Sequence, residues 1–349
     1  MFKKTAIIFF LGAAIGLASY LIFQEQEILD EPALEIIDDE QAGSVETTNP
    51  FSIKSLMEGQ YPGSDLVVEQ TLSDGSNYRQ QIVSYKSEGL KIFALLTIPK
   101  SEKPAGGFPV IVLNHGSVLP DEYSTAERYR DYVAYFAKRG YMVLKSDYRG
   151  HANSEGEANS SYYHPGYVID VLSAVASVQK HPDANSQKIG MWGHSSGGHI
   201  TTVAMIANPD IKAGVIWGGL VASYDETFLQ WRTHRRSIGS GSAPSASPYR
   251  RQSQILEEKY GPISSGSEFW QGMNPYNHLS EITSPIELHH GASDNIVPMR
   301  FIEYFKENLE KAQKSVKLYT YEGGDHNLSG AAFSPAMSNS VKFFDQYLK

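Results

Sequence analysis

From position 65 onward the chain alternates short apolar runs with longer amphipathic ones. "DLVVEQTL", "YRQQIVSY" and "LKIFALLTI" carry β-branched and aromatic residues over strand-like lengths, the last two joined by the turn-like "KSEG". "PVIVLNHG" and "YMVLKSD" are unbroken apolar runs, the pattern of strands buried on both faces. Between them, "EYSTAERYRDYVAYFAKRG" repeats apolar positions at helical spacing and closes on Gly140, which predicts one amphipathic helix over residues 122–140. "YYHPGYVIDVLSAVASVQKH" predicts the next helix. "KIGMW" is a strand, residues 196–206 a helix, and "AGVIWGG", "IELHHG" and "VKLYTYEG" three more strands. "FIEYFKENLEKAQ" and "AFSPAMSNSVKFFDQYL" supply the last two helices. Strand–helix alternation with apolar strands predicts an α/β fold, a mostly parallel sheet with helices on both faces.

One stretch interrupts this rhythm. About 65 residues separate the strand ending near Gly219 from the one starting near Pro285, far above the few-residue connections usual in such units. We read residues 223–283 as an insertion over the carboxyl ends of the strands, a cap, with a small, polar stretch at residues 237–248.

The amino-terminal residues have a different pattern. After Lys3 and Lys4, residues 5–23 form an uncharged apolar run, about the ~20 residues that a spanning helix needs. Bulky Tyr20, Leu21, Ile22 and Phe23 follow Ala18 and Ser19, which spoils a small-x-small cleavage pattern. The expectation is a membrane anchor over residues 1–24 with the body outside the cytoplasm; cleavage of a signal, giving a secreted or periplasmic form, is the alternative. Residues 25–50 hold nine acidic residues and no Lys or Arg, the composition of a solvated linker. The whole chain carries −9; without those nine acids and the two lysines, residues 51–349 carry −2. A body so close to neutral does not suit nucleic acid. The 349 residues include no cysteine, so the fold is held by packing alone.

Candidate chemistry centres on "KIGMWGHSSGGHI", where a strand leads into Gly193-His194-Ser195-Ser196-Gly197 and then a helix. A serine on so sharp a strand-to-helix turn has its hydroxyl thrust outward, and Gly197 and Gly198 permit the tight turn. Together with "SEGLKIFALLTIP", "FPVIVLNHG", "RGYMVLKSDYRGHANSEG", "HHGASDNIVP" and "GGDHNL", in this order, the chain from about residue 65 onward resembles the α/β-hydrolase superfamily. More narrowly it resembles prolyl-oligopeptidase-type, S9-like hydrolases that lack the propeller domain.

That resemblance implies a Ser–acid–His order and a serine hydrolase of ester, amide or peptide bonds that needs no cofactor and no metal. Ser195 is the expected nucleophile and His326, in a glycine-rich loop after the last strand, the expected base. Asp294 follows the preceding strand and is the expected acid, ahead of Asp325 and Asp225. The expected oxyanion donors are the N–H groups of Ser196 and of Ser117, with Val118 the alternative to Ser117. The chain departs here from the HGGG form of many esterases. Blander readings fall to His115 as a loop brace, His194 as the filler of the elbow's variable position, and His289 and His290 as strand-end residues. Asp147, Arg149 and Ser154 read as loop-stabilising. Arg232, Arg235, Arg236, Arg250 and Arg251 read first as a solvated cationic face, with a clamp for a substrate carboxylate as the functional alternative. Phe228, Trp231 and Trp270 read as cap core, with the lining of an acyl pocket as the functional alternative. The competing function class is a catalytically inactive hydrolase fold serving as a membrane-tethered binding module.

Overall fold

The computed structural model describes residues 49–349 except 160 and 225–247, with only the backbone for 248–253. The expected anchor and most of the acidic linker, together with Asp225, Phe228, Trp231, Arg232, Arg235 and Arg236, lie outside the described residues. Among the described residues no helix is long and apolar enough to cross a membrane.

Nine strands form one sheet: β1 (Val67–Thr71), β2 (Tyr78–Ser87), β3 (Leu90–Pro99), β4 (Phe108–Asn114), β5 (Met142–Ser146), β6 (Ala184–His194), β7 (Ile211–Trp217), β8 (Ile286–Gly291) and β9 (Val316–Tyr321). Their spatial order is β1-β2-β3-β5-β4-β6-β7-β8-β9. β4 to β9 run parallel, whereas β1, β2 and β3 pair antiparallel and β3 meets β5 antiparallel. The β2–β3 hairpin turns on Glu88 and Gly89, both at positive φ, with Ser87 paired to Leu90. That is the two-residue turn whose twist matches the strands.

Strand β4 shows why the apolar runs are unbroken: all seven of its residues are buried. Val110 and Val112 enter one core, Ile111 and Leu113 the other. The first core packs α3 (Gly166–Gln179) and α4 (Ser196–Ala207) against the sheet through Val168, Val175, Ile200 and Val203. The second packs α2 (Arg130–Ala137) and α8 (Phe333–Leu348) through Phe136, Val341 and Phe344. Helix α1 (Ile53–Glu58) precedes the sheet and α7 (Met299–Lys311) joins β8 to β9. Within the insertion, α5 (Pro248–Tyr260) and α6 (Glu268–Met273) are helical, and Trp270 and Met273 pack with Tyr162, Leu220 and Phe301 in a third cluster.

One expected element is much shorter than its pattern. The helix expected over residues 122–140 is α-helical only from Arg130 to Ala137. Tyr129 sits at φ 61°, outside helical geometry, and the stretch before it is held by the Tyr123 and Thr125 hydroxyls, which donate to Asp147, and by the Arg128 carbonyl, which accepts from Lys145. Those bonds lead into the site.

Candidate active site

Strand β6 ends at His194 and α4 begins at Ser196, so Ser195 occupies the turn between them at φ 55°, ψ −122°. This is strained backbone for a residue with a Cβ, and neighbouring groups hold it there. The Ser195 N–H donates to the Trp217 carbonyl (3.0 Å), and its carbonyl accepts from Gly198 and Leu220 (both 2.9 Å). The flanking glycines are required sterically. A methyl at Gly197 would collide with the Asn114 carbonyl, and one at Gly193 with the Gly197 carbonyl.

His326 and Asp294, 32 residues apart, are brought together. His326 Nδ1 donates to Asp294 Oδ2 at 2.8 Å, which leaves Nε2 as the nitrogen free to accept a proton. The other carboxylate oxygen accepts the N–H groups of Ile296 (2.8 Å) and Val297 (2.9 Å). Burial alone would raise the Asp294 carboxyl, but the His326 hydrogen bond and charge and the Val297 N–H together hold it below its ordinary value. Asp325 points elsewhere: it accepts the Ser329 N–H (2.8 Å) and the Ser329 hydroxyl. Gly218, at φ 49°, allows close approach, since a methyl there would lie 2.7 Å from the His326 carbonyl oxygen.

Ser195 and His326 line one pocket of about 410 Å³ with Ser117, Val118, Arg128 and Tyr129. Ser196 lies at the first position of α4, where helical bonding leaves N–H groups unpaired. Ser117 Oγ donates to Ser196 Oγ at 3.0 Å, which draws the loop after β4 onto the elbow. The Gly116 N–H is already engaged by the Tyr129 hydroxyl at 2.8 Å. Ser117 and Val118 both line the pocket with the nucleophile. A narrower cavity of about 180 Å³ shares Gly116 and Ser117 with the first and is walled by Tyr148, Tyr162 and Tyr167. Their hydroxyls bind backbone, at the His115 carbonyl, the Leu220 carbonyl and the Asn159 N–H, so ring faces form the walls.

Two residues that the sequence pattern set aside join these parts. The Tyr129 hydroxyl accepts from Gly116 and meets His194 Nδ1 at 2.7 Å, and His194 Nε2 meets the His326 carbonyl at 3.1 Å. The carbonyl can only accept, so Nε2 carries a proton; in neutral imidazole Nδ1 then accepts from the Tyr129 hydroxyl, and the chain runs from Gly116 N–H to Tyr129, Tyr129 O–H to Nδ1 and Nε2–H to the carbonyl. Burial, reinforced by the charge of His326, lowers His194 to about 3 and favours that form. His194 is therefore a link between the loop after β4 and the His326 loop rather than a filler.

Beneath this lies a buried charged brace. Asp147 accepts the hydroxyls of Tyr123 (3.0 Å) and Thr125, and Lys145 Nζ donates to the Arg128 carbonyl at 2.6 Å. Both side chains are fully buried. Burial pushes the Asp147 carboxyl up and the Lys145 ammonium down, and their mutual attraction opposes both shifts. Nothing in the amphipathic pattern of residues 122–140 signals these contacts, because polar Tyr123 and Thr125 read as the wet face of a helix.

The remaining set-aside residues are structural. His115 stacks on Tyr148, 4.1 Å between centroids, and bonds the Gly116 carbonyl at 2.8 Å. Arg149 pairs with Asp170 and Glu88, and the Ser154 hydroxyl accepts the Phe93 N–H at 2.9 Å. His289 bonds Glu287 and Tyr321, whereas His290 bonds the Val297 carbonyl. Trp270 donates to the Gly261 carbonyl inside the third cluster.

The chain is 25% identical over 261 residues to the "Uncharacterized peptidase YtmA" of Bacillus subtilis, covering 73% of this chain and 88% of that one. Among solved structures it is similar to Pyrococcus horikoshii acylaminoacyl peptidase (TM-score 0.61, 21% identity, 78% of this chain and 42% of that one). It is also similar to acetyl xylan esterase 1 from Thermoanaerobacterium sp. (TM-score 0.60, 14% identity, 84% and 92%). These two likenesses show the fold. Residues 109–330 match the family model described as "Serine aminopeptidase, S33", and the chain belongs to that family of α/β-fold serine hydrolases.

Proposed function

We propose that the chain hydrolyses an ester, amide or peptide bond through an acyl-enzyme on Ser195. Ser195 Oγ attacks the substrate carbonyl carbon while His326 Nε2 takes its proton, and Asp294 holds the imidazole and stabilises its charged form. The N–H groups of Ser196 and Ser117 receive the oxyanion. His326 then passes the proton to the departing alcohol or amine, and water repeats the sequence to release the acid. The observation that carries this reading is the 2.8 Å bond between Asp294 and His326, with His326 in one pocket with the strained Ser195. A fluorophosphonate tests it, because only an activated serine reacts quickly. Labelling at Ser195 that Ser195→Ala abolishes supports the assignment; labelling at another serine overturns it.

The apolar run at residues 5–23 behind Lys3 and Lys4 supports tethering to a membrane, with the hydrolase body outside the cytoplasm. Fractionation with membranes is the expected outcome. A soluble form starting near Gln24 would indicate a cleaved signal instead.

A further inference from the structure

Arg128 is exposed at the rim of the pocket that holds Ser195 and His326, and it is there by construction. Its carbonyl takes the bond from fully buried Lys145, its N–H reaches the Ser124 carbonyl (3.1 Å), and its Nε donates to the Glu122 carbonyl (3.0 Å). The next residue, Tyr129, is held in left-handed backbone and tied to Gly116 and His194. Two buried charges are thus committed to fixing a seven-residue stretch whose last two side chains line the pocket. Burying such charges is costly, so the position they fix calls for an explanation.

The guanidinium keeps donors to spare. Its one ion-pair partner among the described residues is Glu122, 3.8 Å from Nη2 and too far for a hydrogen bond. Among the described residues that line this pocket none is acidic. The nearby Asp325 carboxylate is occupied by Ser329.

The reaction then orients the substrate. His326 must hand its proton to the leaving group, so the leaving group lies on the His326 side, in the pocket with Arg128. The acyl part falls to the narrower, ring-walled cavity past Ser117 and Ser196. At about 180 Å³ this is close in size to an apolar cavity of about 150 Å³ that holds benzene. We infer that the preferred substrates carry an uncharged acyl group of short-chain or benzene size and a leaving group bearing a carboxylate, which Arg128 binds. An N-acyl amino acid, or a short peptide cleaved next to its free carboxyl terminus, is the amide form of that class. This inference rests on the assignment of Ser195 and His326 proposed above.

The test uses the full chain and two acetyl esters that share an acyl group: 4-acetoxybenzoate, whose leaving group is charged, and its methyl ester, whose leaving group is neutral. The readout is the ratio of their kcat/KM values, in which intrinsic reactivity cancels between enzyme variants. Arg128→Gln is expected to lower the carboxylate-to-ester ratio about tenfold, the scale of one partly exposed charge-assisted bond. Arg128→Lys should restore part of it, and added salt should lower the wild-type ratio. A ratio that moves less than twofold in Arg128→Gln, while a neutral fluorophosphonate still labels Ser195, overturns the role of Arg128 and leaves the nucleophile standing. Failure to label Ser195 in folded wild-type protein overturns both readings.

Discussion

Replacing Tyr129 by Phe removes one oxygen and little else. The ring packs against Tyr132, His194 and Trp192 at centroid distances of 5.4, 5.6 and 6.3 Å, contacts that Phe retains, so no cavity opens. The lost hydroxyl is both acceptor for the buried Gly116 N–H and donor to buried His194 Nδ1. Leaving a buried polar group without a partner costs about 1–3 kcal/mol, so two groups orphaned by one deletion should cost about 2–6 kcal/mol. That is a large part of the roughly 5–15 kcal/mol by which a domain is stable.

Urea unfolding followed by both fluorescence and circular dichroism measures the loss. Tyr132→Phe is the matched control, since its hydroxyl makes a single bond to the exposed Asn327 carbonyl (3.0 Å) and should cost about 1 kcal/mol or less. The chain also joins the loop carrying Ser117 to the His326 loop. Tyr129→Phe should therefore lower kcat more than it raises KM, the signature of lost transition-state geometry. If Tyr129→Phe costs no more than Tyr132→Phe, the chain is not a structural link and the reasoning fails.

Asp294→Asn should lower kcat on the order of 10⁴-fold by analogy with other serine triads, and Asp325→Asn far less; steady-state kinetics on one acetyl ester decides between them. His194 is held neutral with a folded value of about 3 against 6.5 for the free side chain, so the unfolded chain binds the proton first. The stability it contributes is full above pH 6.5 and is lost as pH falls toward 3; His115, His164 and His199 are shifted the same way, so thermal melts from pH 7.5 to 5 should show a falling Tm whose slope is shallower, not abolished, in His194→Gln. Gly197→Ala drives a methyl into the Asn114 carbonyl, so it should unfold the elbow at a cost of at least about 3 kcal/mol or leave the protein insoluble, as expression and melting will show.

The sheet was legible in the sequence because burial on two faces leaves an unmistakable trace. The first six residues of β4, 108–113, are buried and apolar without interruption, and the two cores draw alternate residues from the same run. The elbow was legible for a steric reason, since a carbonyl presses on Gly197 and nothing larger fits. Residues 122–140 misled because their apolar spacing is helical throughout, yet the helix starts only at Arg130. Propensity and periodicity act over a few residues, whereas Tyr123 and Thr125 are held by Asp147, more than twenty positions away. A local pattern cannot announce a partner at that distance.

The same long-range bonds blur the line between residues that stabilise the fold and residues that shape the site. The sequence reading of Asp147 in "DYRGHANSEG" as loop-stabilising agrees with its contacts, since it bonds hydroxyls of a loop. That loop, however, ends in Arg128 and Tyr129, one at the pocket rim and the other joined through His194 to the carbonyl of His326. A perturbation at Asp147 or Lys145 is therefore expected to reach the pocket without touching substrate. Breaking a buried pair leaves an uncompensated charge, so the stability loss should be large, about 3–5 kcal/mol. The kinetic consequence should be selective: Lys145→Met releases the Arg128 carbonyl, and discrimination between charged and neutral leaving groups should fall in protein that remains folded. Were that ratio to hold while stability dropped, the brace would serve the fold alone, and the position of Arg128 would need another cause.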